Sequence, residues 1–145
     1  MAGTPTLVAE AWFDQVLLAD ADFVAASPGG LWNEVAPEDT RGVYTVTNLL
    51  HGDNDATATG DVYGATLTYA LRVWGQSENY ADLVPAVRRV VALLHGASAV
   101  LADVGTVEAC TWTNPIKLPL ETDETGRVWA CLGAQFDVEV TEMEP

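Results

Sequence analysis

Apolar and polar positions alternate strictly through one stretch: Ala65, Leu67, Tyr69, Leu71 and Val73 fall on one face of an extended chain, Thr66, Thr68 and Arg72 on the other. That is the period of a half-buried strand, here spanning about 62–74. A turn at Gly75 leads into a different period. Leu83, Val87, Val90, Val91 and Leu94 recur at three- and four-residue spacing, which predicts an amphipathic helix closing on His95. Asp82, Arg88, Arg89 and His95 are left for solvent or a partner. Pro85 falls inside the pattern and either kinks the helix or delays its regular start.

Upstream, Thr4 or Thr6 can cap a first helix running to about Ala26, with Pro5 in its first turn and Ser27-Pro28-Gly29-Gly30 ending it. Val8, Trp12, Val16, Ala19 and Phe23 form one stripe, while Leu7, Phe13, Leu17, Leu18 and Val24 spread apolar surface around the rest. Such a helix packs on two sides, inside a monomer core or against a neighbouring subunit. Short strands are expected at 31–36 and 43–50, and two closing strands at 106–112 and 128–140. In the last strand Val128, Ala130, Leu132, Ala134, Phe136, Val138 and Val140 share a face; the other face begins apolar at Trp129 and Cys131 and ends acidic at Asp137 and Glu139. Residues 96–105 read as a small-residue linker. Residues 51–61 and 113–127 read as long exposed loops, each a candidate contact arm. The expectation is a single α+β domain over 1–145, in the order α-β-β-β-α-β-β, with a mostly antiparallel sheet and two helices packed on one face.

Charge narrows the partners. The chain has 145 residues, 49% of them hydrophobic, which is enough for a core without staples. Against 21 acidic residues stand only six basic ones, for a formal net charge of −15. Gripping nucleic acid needs clustered Lys and Arg, and only Arg88 and Arg89 are adjacent. The same excess weakens attraction to anionic membranes, and no apolar run approaches the ~18 residues of a membrane span. The first residues lack the basic region and apolar run of a signal peptide, so Cys110 and Cys131, inside expected strands, read as small buried thiols in a reducing cytoplasm.

Candidate chemistry is sparse. Asp53, Asp55 and Asp61 cluster, but a calcium loop starting there would need Gly where Ala58 stands and Glu where Gly64 stands. His51 and His95 are each followed by Gly at the end of an element, and a helix-end histidine most simply meets free carbonyls. There is no phosphate-cradling Gly loop, no Gly-x-Ser-x-Gly and no Cys-His pairing. No catalytic residue, cofactor or metal is expected. Five tryptophans (Trp12, Trp32, Trp74, Trp112 and Trp129) are many for this length. Core packing accounts for some of them. Trp74, Trp112 and Trp129 lie near strand ends or opposite the main apolar stripe, where they could anchor an interface. If Trp112 and Trp129 share the second sheet face with Val46 and Leu50, oligomerisation would cover it.

Three features recur in a known order: Trp32 with Val35-Ala36-Pro37 before a strand, an apolar strand ending Val73-Trp74, and Tyr80-Ala81-Asp82 opening a helix that closes on Leu93-Leu94-His95. With the preceding helix and a last strand ending in Phe136-Asp137-Val138-Glu139-Val140, the chain resembles the tail terminator (tail completion) proteins of long-tailed bacteriophages over about residues 7–140. The resemblance implies a structural virion protein, not an enzyme: a homo-oligomeric ring, usually of six subunits, assembled in the host cytoplasm. It would cap the finished tail tube, stop its polymerisation and join it to the head connector. Its implied partners are tail tube protein and connector proteins, with genomic DNA only passing through the lumen and no membrane. Contact residues to subunits, tube or connector are then expected among Asp53, Asp55, Thr57, Thr59, Arg72, Trp74, Arg88, Arg89, Trp112, Lys117 and Trp129. Another neck role, such as head closure or adaptor, shares this profile; a small αβ binding module outside phages is the remaining alternative.

Overall fold

Strand alternation organises the molecule. The computed structural model describes residues 5–56 and 62–142. β3 (Val62–Gly75) lies between β2 (Tyr44–Ala56) and β6 (Val128–Glu142), and β6 pairs on its other side with β5 (Gly105–Thr122). Two three-residue strands close the edges: β1 (Leu31–Asn33) on β2 and β4 (Ala99–Leu101) on β5. The order is β1-β2-β3-β6-β5-β4, antiparallel throughout except for the parallel β1–β2 pair.

Ala65, Leu67, Tyr69 and Leu71 of β3 and Ala134, Phe136, Val138 and Val140 of β6 are buried on one face. Against them pack α1 (Pro5–Leu18), α2 (Ala21–Ala26) and α3 (Val84–Leu94). α1 contributes Val8, Ala9, Trp12, Phe13 and Leu17, with Phe13 edge-on to Tyr69 at 5.1 Å. Each such large apolar side chain, taken wholly from water, stabilises the fold by roughly 1.5–3 kcal/mol. Val73, Leu83, Ala86 and Ala130 form a smaller cluster where β3 runs into α3.

The first helix, expected as one piece, is two. Asp20 leaves helical geometry (φ −93°, ψ 114°), and its carboxylate accepts the Phe23 N–H at 2.8 Å, starting α2 afresh. The break turns the chain so that Phe23 is fully buried; an unbroken helix of that length would run about 33 Å straight on. Only one flank of α1 is covered. Leu7 and Leu18 stay 57% and 49% exposed, which leaves an apolar flank facing solvent. Pro85 acts as expected on the second helix: a 3-10 turn over Tyr80–Leu83 comes first, and Pro85 then occupies the opening turn of α3.

Both expected loops are strand for most of their length. β2 continues through Ala56 and β5 through Thr122. Cross-strand hydrogen bonding imposes the extended form on polar residues that carry no apolar alternation. β5 passes Pro115 and Pro119 because beyond β4 it is an edge strand, and Pro119 falls within the register shift between Leu118 and Glu121. The linker expected at 96–105 contains β4.

Candidate functional site

Register places the two long hairpins at opposite ends of the sheet. Gly64 pairs with Thr141 and Gly75 with Ala130, so β6 starts where β3 ends. The β2–β3 hairpin therefore projects from one pole and the β5–β6 hairpin from the other, about 45 Å apart at ~3.3 Å per strand residue. Over 51–56 and 113–122 the expected loops are paired strand.

The first arm carries acids. Asp53 pairs across to Thr66 and Asp55 to Gly64, and His51 Nε2 lies 3.1 Å from Asp53 Oδ2 on the exposed strand. Thr57 and Thr59 lie outside the described residues.

A carboxylate closes the second arm. Asp123 Oδ1 accepts the Thr125 N–H, the Thr125 hydroxyl and the Arg127 N–H at 2.9, 2.7 and 3.0 Å, and Oδ2 accepts the Trp129 indole N–H at 2.8 Å. Those donors, led by the Thr125 hydroxyl and the Trp129 indole, hold the Asp123 carboxyl far below the usual range. Gly126 supplies the left-handed residue at φ +81°. Sequence reading singled out Trp129 and missed Asp123. The signal was present, because an Asp two residues before Thr in a Gly-containing turn is an Asx-turn pattern.

The remaining expected contact residues separate into two faces. Arg72, Trp74 and Trp129 lie on the face away from the helices, where Trp129 meets Tyr44 at 6.2 Å and Val46 and Cys131 are buried between them. Arg72 donates through Nη1 to Asn48 Oδ1 at 3.0 Å, while its buried Nε has no hydrogen-bond partner. Trp112 is not on that face. The register shift between Val107 and Ala109 reverses the strand's faces and brings it opposite Phe136, on the helix side, with 43% of its surface exposed. Lys117 is also on the helix side, with Nζ 4.5 Å from the Tyr80 ring centre. On α3, Arg89 is bonded to Asp20, whereas Arg88 is exposed.

Side chains seal much of both sheet edges. On β5, four backbone groups bond outside the β5–β6 ladder: Cys110 C=O accepts Gly96 N–H, Trp112 N–H donates to His95 Nδ1, Asn114 C=O accepts the Trp112 indole, and Leu118 C=O accepts the Tyr80 hydroxyl. Across the sheet, Glu34 adopts φ +66°; its backbone N–H donates to Thr47 C=O and its carboxylate accepts the Leu49 N–H. A sheet sealed in this way resists unplanned strand addition.

Catalytic geometry does not assemble at the clefts beside Gln76. One, of about 280 Å³, is bounded by Val43, Ser77 and Leu83; another, of about 140 Å³, by Arg41, Asp123 and Trp129. Both fall below the roughly 300–1,000 Å³ of pockets that enclose small molecules. His95 is occupied by a backbone N–H, and His51 faces Asp53 in solvent. Among the described residues, no group of three or more His, Cys, Asp or Glu is placed to hold a metal ion, and no helix is long and apolar enough to cross a membrane.

No protein-family model matches the chain, and no curated protein matches its sequence. Solved structures do match its fold. A chain from the virion of a native gene transfer agent (GTA) particle is 23% identical over 89% of this chain and 90% of its own, with a TM-score of 0.64. A second solved protein, known only by a sequence label, is 16% identical over 99% of both chains, with a TM-score of 0.54. At these identities the likeness establishes a shared single-sheet α+β fold.

Proposed function

We propose that the chain is a structural virion protein of the tail terminator kind: a ring subunit that caps the finished tail tube, ends its polymerisation and provides the joint to the head connector. The observation that carries this reading is the pair of hairpin arms at opposite poles of one sheet. A ring built from such subunits presents one set of arms to the tube and the other to the connector. The fold likeness to a chain of a gene transfer agent virion supports the coarser part of this reading, a structural virion protein.

Ring closure needs heterologous contacts between different surfaces of successive subunits. The solvent-facing flank of α1, with Leu7 and Leu18, supplies surface for such contacts. Termination then needs only that the outward face fail to match another tube subunit. The acidic excess suits a lumen through which DNA passes without sticking.

Deleting the gene from its particle and imaging the products tests the reading. Overlong or headless tails are expected. Tails of normal length attached to heads would overturn it, and normal tails beside unclosed heads would favour a head-closure or adaptor role. In the second arm, Asp123→Ala removes the acceptor that four donors share. It should leave the sheet folded and lower the yield of joined particles.

A further inference from the structure

We infer that successive copies of this chain meet edge to edge: Trp112, on the outer edge of β5, packs on Val35, Leu49 and Leu50 at the β1–β2 edge of the next copy. The inference rests on the ring reading above and names the two faces that close it.

One row of side chains crosses the sheet on its helix side. Leu49 pairs with Tyr69, Tyr69 with Phe136, and Phe136 with Trp112. The inner two are fully buried, yet both ends are large apolar groups in solvent, Leu49 38% and Trp112 43% exposed. Two more such groups stand beside Leu49. Leu50 is the extra residue at the register shift between Leu49 and His51, and Val35 follows Glu34, which accepts Asn48 Nδ2 at its carbonyl and the Leu49 N–H at its carboxylate. Both are exposed. Single exposed apolar side chains are ordinary on a monomer, whereas a cluster marks a contact surface.

Strand addition is not what these ends offer. The Leu49 N–H is taken by the Glu34 carboxylate, and the Trp112 N–H by His95 Nδ1. A partner meets side chains there instead of extending the sheet.

Charge selects a second copy as that partner. Two of the six basic residues, Arg88 and Lys117, flank the Trp112 end. The Tyr80 hydroxyl reaches the Leu118 carbonyl and His95 reaches Trp112, so the helix between them runs alongside β5. Arg88 lies two turns before His95 on the same helix face, exposed and without an ion-pair partner among the described residues. At the Leu49 end the sign is reversed. The exposed Glu34 carboxylate accepts only from the Asn48 amide and the Leu49 N–H, both neutral. Copies carrying −15 each repel unless cations of one face acids of the next, and this pairing of edges sets Arg88 and Lys117 toward Glu34. Because both ends belong to one cross-strand row, joining them needs rotation without a shift along the strands, the operation that closes a ring.

Leu50→Glu and Trp112→Glu each spoil a different edge, and sedimentation of the purified full chain reads the result. Each variant alone should weaken self-association about tenfold or more while melting as a folded protein. Mixed in equal amounts, the two should form dimers and nothing larger, because each supplies the edge the other lacks. Arg88→Glu, on the solvent side of α3, should also weaken association about tenfold and replaces Trp112→Glu in the mixture if that variant does not fold. A mixture that stays monomeric, a variant that associates like wild type, or a wild-type chain that stays monomeric at high concentration each overturns the contact. Headless tails on gene deletion alongside wild-type association of Leu50→Glu would leave the terminator reading standing and remove only this contact. Normal joined tails alongside dimers in the mixture would do the reverse.

Discussion

Arg89 binds Asp20 through two parallel hydrogen bonds, Nε to Oδ2 at 2.7 Å and Nη2 to Oδ1 at 2.8 Å, so the residue that starts α2 is tied to the middle of α3. The same Oδ2 caps the Phe23 N–H. The Arg89 bond is the largest cause of an Asp20 carboxyl held below its ordinary 3.8. A depressed carboxyl stabilises the fold above its unfolded value, and that contribution is lost as pH falls through the folded one. Asp20→Asn keeps a competent cap and removes the charge. Thermal melts should show a lower Tm than wild type at neutral pH, with the gap closing in acid; an equal gap at every pH would contradict the ion-pair account.

Removing the β5 edge seals should expose a sticky strand. In Tyr80→Phe/His95→Ala, the Leu118 carbonyl and the Trp112 N–H lose their partners. Each lost bond costs about 1 kcal/mol in a urea titration. Light scattering and thioflavin fluorescence should rise with concentration, and a variant that remains soluble and monomeric at every concentration would show that the seals do not protect the edge.

Gly133 and Gly96 separate crowding from backbone strain. A Cβ at Gly133 would sit 2.3 Å from the Leu71 carbonyl oxygen and 3.0 Å from Arg72 Cα, atoms of a central strand that cannot yield. Gly133→Ala should cost about 3 kcal/mol or more. Gly96, at φ +77° with open space around it, should cost only about 1 kcal/mol as Ala. Denaturant midpoints of the two variants, measured side by side, give the comparison.

Burial pushes the Cys110 and Cys131 thiols up to about 12. Both are free and inside the sheet. A thiol-specific chromogenic reagent at mildly alkaline pH should therefore label neither in the native chain and both in denaturant. Fast native labelling of either would contradict the packing around it.

Strong periodicity made the centre of the fold readable. The alternation from Ala65 to Val73, the stripe on α3 and the apolar face of β6 all appear where the pattern puts them. The arms were unreadable as strands for a physical reason. Residues 51–53 and 113–122 are exposed or half-buried, so nothing forces apolar alternation, and only a neighbouring strand makes them extended. Trp112 was expected on the face of Trp129; the one register shift before it, between Val107 and Ala109, puts it opposite Phe136 on the other face. A shift of one residue reverses a strand's faces, and no local sequence signal records it.

The expected contact residues divide in the same way. Tryptophans and arginines were legible as unusual in so acidic a chain, but which of them are free was not. Arg89 found Asp20 and Arg72 found Asn48 across 69 and 24 residues of sequence, while Arg88, beside one of them, remained in solvent. Tyr69 looked like one more member of a core stripe. Its hydroxyl is nonetheless buried without a hydrogen-bond partner, which the stripe did not foretell.

Amino-acid order alone determined which segments bury a face, because hydrophobic burial depends on local period and acts without a particular partner. It also determined the net charge and the scarcity of catalytic groups. Tertiary structure decided the strand extents, the opposite poles of the two arms, the sealed edges and the Arg89–Asp20 pair, because each depends on directional hydrogen bonds or close charges between residues far apart in the chain.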